Sequence, residues 1–165
     1  NRPAKPGDVL IGLPSNGLHT NGYSLVRKVF EGNYEFSDYI DVFGQSLGDE
    51  LLKIHKSYLS IMDSVIDESW LHGISHITGG GLVENTNRIL PEECELDVDW
   101  SAWERPELFK FIQKVGDVPE KDMRRTFNLG VGLVAIIEES KVSEFTNHLD
   151  DLSEKWFNIG KVKTA

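Results

Sequence analysis

The stretch Phe127–Ile137, FNLGVGLVAII, constrains the fold more than any other part of the chain. Val and Ile dominate it, and no polar alternation gives it a wet face. Such a segment reads as a strand covered on both sides. Apolar residues spaced by three and four predict helices to cover it, over about 22–30, 47–55, 58–67, 82–90, 106–116 and 140–149. Asp8–Pro14, DVLIGLP, reads as another strand, and so do residues 74–77, 95–98 and 156–162. Asn21 is expected to cap the first helix. Pro106 is expected to open the fifth and Gly116 to end it. Residues 33–46 read as loop. The expectation is an α/β (α+β) domain, a mixed β-sheet covered by helices, without the regular alternation of a doubly wound fold.

A chain of 165 residues fits one domain with its own core. Seventeen Lys and Arg against 27 Asp and Glu give a formal net charge of -10. That argues against a nucleic-acid partner, which needs a positive footprint. It leaves room for a small anion held by local N–H groups. The single cysteine, Cys94, excludes an intramolecular disulfide and a Cys-based zinc site, and agrees with a cytoplasmic location. No apolar run reaches the ~20 residues of a membrane helix, so no membrane partner is expected. The polar, Pro-containing residues 1–7 read as an interdomain linker remnant ahead of a domain over 8–165.

Two short blocks carry chemistry. In the first, Thr78, Gly79, Gly80 and Gly81 follow a strand and precede a helix. Exposed N–H groups there can cradle a phosphate, with Thr78 adding a hydroxyl, Asn85 orienting a polar group and Arg88 supplying a charged fork. A tight turn whose glycines merely adopt unusual backbone angles is the plainer reading. The second block is GLHTNG, Gly17–Gly22, where His19 can serve as acid, base or hydrogen-bond partner. A helix-capping loop with a surface histidine is the plainer alternative. His72 and His76 stand four apart on a strand, which puts both on one face. No third ligand is apparent, so no protein-only metal site is expected, and His76 is a possible polar wall of the glycine pocket. His55 and His148 fall in predicted helices and read as structural or exposed. Asp8 reads as a strand-end or turn residue.

Taken in order, KPGDVLIGLPSNGLHTNGYSLVRKVF, GISHITGGGLVENTNRILP, WERPELFKFIQKVGDVPEKDMRRTFNLGVGLVAII and IGKV cover nearly the whole chain. This series resembles the C-terminal domain of the phosphoribosylformylglycinamidine cyclo-ligase (aminoimidazole ribonucleotide synthetase) family. The resemblance implies ATP-dependent closure of formylglycinamidine ribonucleotide to aminoimidazole ribonucleotide, ADP and phosphate. Phosphoryl transfer would activate the formyl oxygen, and an amidine nitrogen would then close the ring. His19 matches the motif histidine and becomes the leading catalytic candidate, for proton transfer or polarisation. Asn21, His76, Thr78, Gly79, Gly80, Gly81, Asn85 and Arg88 match positions expected to contact substrate or its phosphate. ATP and Mg2+ are expected to be held mainly by an N-terminal domain not included in these residues, which is also expected to help form a homodimer. The isolated chain is expected to fold but to be inactive. Other ATP-using members of the superfamily share the architecture, and an inactive binding or dimerisation module is a further alternative. Two departures stand out: Ile54-His55 replaces an expected Pro-Thr, and Thr86-Asn87 replaces a frequent Leu-Pro.

Overall fold

In the computed structural model, which describes residues 3–165, the apolar stretch singled out above becomes a central strand buried at every position, Val131–Ile137. In chain order the elements are β1 (Val9–Pro14), α1 (Tyr23–Phe30), β2 (Tyr39–Ile40), β3 (Gln45–Ser46), α2 (Leu47–Leu51), α3 (Leu59–Met62), β4 (Leu71–His76), α4 (Gly81–Asn87), β5 (Cys94–Val98), α5 (Glu107–Gly116), α6 (Glu120–Thr126), β6 (Val131–Ile137), α7 (Val142–Asp151) and β7 (Phe157–Thr164). Asn1 and Arg2, the start of the expected linker, lie outside the described residues. Ala4 of that segment is buried, and Lys5 N donates to Asp8 Oδ2 at 2.8 Å.

Five strands form one sheet in the order β4-β6-β1-β7-β5, and β2-β3 form a separate small hairpin. The sheet covered by helices is as expected. Its strand directions are simpler than a mixture, because all four pairings run antiparallel. The alternation of β6 divides its side chains between two cores. Leu133, Ala135 and Ile137 pack with Val9, Ile11, Leu13, Phe145 and Leu149. Val134 and Ile136 pack with Leu10, Ile77, Leu82, Ile159 and Val162. A third core joins α1, α5 and α6 through Val26, Phe30, Phe109, Ile112, Met123 and Phe127. Each fully buried side chain of this size contributes about 1.5–3 kcal/mol relative to exposure.

Several local expectations change. The helices expected over 47–55 and 58–67 shrink to α2 and α3, and the segment between them is not helical. Leu52 and Ile54 are 75% and 86% exposed, so no core rewards continuing the helix. Asn16 instead satisfies this segment, donating to the Ile54 carbonyl at 2.6 Å and accepting from Lys56 N at 3.2 Å. Asn21 does not cap α1; Gly22 occupies the cap with φ 80. Helix α5 does end at Gly116, where a Cβ would meet Val29 Cγ2 at 2.5 Å, but the left-handed exit is made by the next residue, Asp117, at φ 45. Helix α6 was not expected, since Met123 is its single buried residue and one apolar position sets no period.

Candidate functional site

The two chemical blocks meet at one end of the sheet. The β1–α1 loop (residues 15–22) carries His19, and the β4–α4 turn carries the glycines. Asn21 Oδ1 accepts the Gly79 N–H at 3.0 Å, which ties one loop to the other. Asn128, at the entry to β6, clamps the first loop by accepting from Ser15 Oγ at 2.7 Å and donating to the Gly17 carbonyl at 2.9 Å.

His19 is 2% exposed, and both His19 and Thr20 sit in the left-handed region at φ 52 and 64. Non-glycine residues adopt that conformation at a cost. The surroundings hold it there. His19 Nε2 lies 2.6 Å from Asn16 Oδ1, and its ring stacks on His55 with centroids 4.0 Å apart. Tyr58 approaches edge-on at 6.2 Å while its hydroxyl donates to the Pro14 carbonyl. Gly132 of β6 makes room, since a Cβ there would stand 2.8 Å from His19 Cε1. His19 Nδ1 is buried without a hydrogen-bond partner.

Burial, then the neighbouring His55, His76 and Lys56, lowers the His19 pKa to about 4. Its imidazole is therefore neutral at pH 7. A group with so low a pKa stores a proton poorly, so hydrogen-bond polarisation suits it better than proton transfer. Burial and His55 also lower the pKa of His76, and burial raises that of the Tyr58 hydroxyl.

The glycine turn has its own internal logic. Asn85, buried on α4, donates to the carbonyls of Thr78, Gly79 and Gly81 and accepts from Thr78 Oγ1 at 3.0 Å. Gly80 and Gly81 adopt φ 104 and 73. A Cβ on Gly81 would fall on the Arg124 carbonyl, so this glycine lets α4 pack against α6. Two of the three N–H groups are spent, Gly79 on Asn21 and Gly81 on the Thr78 carbonyl. The Glu84 carboxylate closes over the turn, its carbon 2.8 Å from where a Gly80 Cβ would be. Arg88 is turned to Glu84, with Nη2 to Oε1 at 2.7 Å on the exposed side of the helix. As the loops stand, an anion at this turn needs the Glu84 and Asn21 side chains to move.

The histidines are where sequence and structure diverge most. A register shift between Leu71 and Gly73 breaks the period of β4, so His72 and His76 do not share a face. His72 is buried with Nδ1 at 2.6 Å from Asp8 Oδ2. His76 meets His55, with their Nε2 atoms 3.0 Å apart. His55 lies in the loop before α3 rather than in a helix, and it completes a group with His19 and His76 whose donor atoms all fall within 4.8 Å of one another. The third imidazole that spacing along the chain failed to supply comes from 21 residues away. Asn16, His55, Tyr58, Gly132 and Asn128 were all missed; only the Ile54-His55 departure signalled any of them.

Mg2+ with ATP fits these residues poorly. Among the described residues the histidine trio is the one assembled group of metal donors, and Mg2+ prefers carboxylate, phosphate and water oxygens. The recess of about 230 Å³ lined by Tyr23, Val26, Arg27, Phe36, Leu51 and Leu52 is almost wholly apolar and does not suit a phosphate ester. No helix among the described residues is long and apolar enough to cross a membrane.

Comparison with known proteins agrees with this architecture. The fold is shared with thiamine-monophosphate kinase from Stenotrophomonas maltophilia K279a, at a TM-score of 0.65 and 13% identity over 99% of this chain and 50% of that one. It is shared also with E. coli HypE, a hydrogenase maturation protein, at a TM-score of 0.64 and 14% identity over 98% of this chain and 45% of that one. Sequence similarity is far higher to proteins named phosphoribosylformylglycinamidine cyclo-ligase. The one from Pseudothermotoga lettingae is 44% identical over 96% of this chain and 47% of its own length. That from Geotalea daltonii is 45% identical over 94% of this chain and 45% of its own. The chain thus spans about half the length of the curated relatives it matches. The family model for the C-terminal domain of AIR synthase related proteins matches residues 5–165, nearly the whole chain, and the chain accordingly belongs to that family.

Proposed function

We propose that this chain is the C-terminal half of a cytosolic phosphoribosylformylglycinamidine cyclo-ligase. The whole protein would convert formylglycinamidine ribonucleotide and ATP into aminoimidazole ribonucleotide, ADP and phosphate. The observation that carries this reading is the hydrogen bond from Gly79 N to Asn21 Oδ1, which brings the GLHTNG and HITGGG blocks to one surface. The identity to cyclo-ligases supports the choice of reaction within the superfamily.

In this reading the loops of this chain hold the acyclic ribonucleotide and an N-terminal partner domain, in a homodimer, presents ATP and Mg2+. His19, neutral and rigidly placed, polarises the reacting formyl or amidine group. Asn21 trades its bond to Gly79 for one to substrate, which frees an N–H of the glycine turn for the phosphate. Thr78, Gly80 and Arg88 complete that contact once Glu84 swings outward, while Asn85 keeps the turn in shape and His76 walls the pocket. Aligning the two ends of one molecule is worth much of the barrier for a ring closure.

Product analysis of the full-length parent supplied with ATP, Mg2+ and formylglycinamidine ribonucleotide tests this reading. The closed imidazole product is expected. ATP consumption without it would point to another acceptor and reject the assignment. In the same protein, His19→Gln is expected to lower kcat about 100-fold with little loss of folding; unchanged turnover would remove His19 from the mechanism.

A further inference from the structure

We propose that His19, His55 and His76 form a binding site for a late first-row divalent cation, zinc foremost, with one coordination position left open. The three residues come from three separate segments, the β1–α1 loop, the loop before α3 and the end of β4. Tertiary structure alone brings their donor atoms within 4.8 Å of one another. The Nε2 atoms of His55 and His76 are 3.0 Å apart. Tetrahedral zinc with Zn–N bonds of 2.0–2.1 Å requires ligand nitrogens about 3.3 Å apart, so this pair already stands near the required spacing.

His19 provides the independent observation. Its Nδ1 is buried and has no hydrogen-bond partner, while Nε2 lies 2.6 Å from Asn16 Oδ1 and 3.2 Å from the Asn16 backbone N–H. With Nε2 protonated toward Asn16 Oδ1, the shorter of its two contacts, the lone pair on Nδ1 is free. Metal-bound histidines are oriented in this way, with the second ring nitrogen donating to an oxygen of the protein. Packing alone accounts for the stacking of His19 on His55 but gives the buried Nδ1 nothing to bind.

The rings must shift for all three lone pairs to converge, because His19 and His55 are stacked face to face at 4.0 Å. His55 is half-buried and His76 is exposed, so these two can move while His19 stays fixed. The nearby Lys56 cation opposes a metal, but its Nζ is held by Glu154 at 2.6 Å. Imidazoles select zinc, nickel, copper or cobalt over Mg2+ and Ca2+, which take oxygen ligands. Three protein ligands leave a place for water or for an oxygen of a small molecule. The site rests on His55, which departs from the family pattern, and does not depend on the cyclo-ligase reading.

The test is a titration of the chelator-stripped chain with Co2+ followed by visible absorption, then displacement by Zn2+. One Co2+ per chain with the intense visible band of a nitrogen-bound, low-coordinate ion is expected, while Mg2+ displaces nothing. His55→Ala, a change at a half-buried loop position, is expected to weaken Zn2+ binding at least about 100-fold, with the circular dichroism spectrum unchanged. His148→Ala, outside the cluster, should leave binding intact. Absence of a Co2+ band, undiminished binding in His55→Ala, or equal loss in His148→Ala would each overturn the proposal.

Discussion

Strand β4 carries a histidine near each end, and the two lead different lives. At one end His72 has a side chain 1% exposed, set against an equally buried Asp8 carboxylate. At the other end His76 is exposed and meets His55, which stacks in turn on His19. The closed end pairs one ring nitrogen with a carboxylate oxygen, and its remaining polar atoms, His72 Nε2 and Asp8 Oδ1, are shut away from solvent without a hydrogen-bond partner. The open end gathers three rings with no acid among them, and so keeps lone pairs in reserve. The difference teaches that the same residue on the same strand becomes structural or available to ligands according to what the neighbouring elements bring to it.

Removing the carboxylate attacks the closed end directly and should have the largest effect. Asp8→Ala leaves His72 buried without its partner and is expected to lower stability by about 3 kcal/mol in urea denaturation. A loss under about 1 kcal/mol would mean that the pair is not what holds this end. At the open end the constraint is space. Gly132→Ala places a methyl group against His19 and the Tyr58 hydroxyl. It should cost about 2 kcal/mol by the same measurement, typical of overpacking. A neutral result would show that the rings are loosely held and that the two ends differ less than the geometry implies.

A third, more exposed pair sharpens the contrast. Glu120 accepts from Arg105 Nη2 at 2.6 Å and from Arg124 Nε at 2.7 Å. The Arg105 hydrogen bond is the main cause of a Glu120 pKa lowered from 4.5 to about 2, with Arg124 and Gln113 adding to it. A carboxylate with a depressed folded-state pKa contributes stability above its unfolded value and loses it as pH falls through the folded one. Because 41% of this side chain is exposed, water screens the pair and the contribution stays below about 1 kcal/mol. Glu120→Gln should therefore cost less than that at pH 7, and its difference from the parent should shrink as pH is lowered from 4.5 toward 2. An undiminished difference would assign the effect to packing rather than charge.

What the sequence revealed follows from how local each signal is. The buried strand β6, the strand β1 and the helices α1, α5 and α7 were legible because their apolar spacing repeats within a few residues. The order of the GLHTNG and HITGGG blocks was legible as well, and with it the family. Helix α6 was not, because one buried methionine makes no pattern. The shortened helices around residues 52–58 were not, because the bonds that replace the helical ones come from the side chain of Asn16, dozens of residues earlier.

The sequence by itself therefore determined which segments must be buried and which residue types could do chemistry. Only the tertiary structure decided their company. The bulge after Leu71 separated His72 from His76, Gly132 opened the space for His19, and the loop before α3 delivered His55 to it. A hydrophobic period is a property of neighbours along the chain, whereas a cluster of donors is a property of distances across it. Nothing in the spacing of positions 19, 55 and 76 encodes those distances until the sheet has formed.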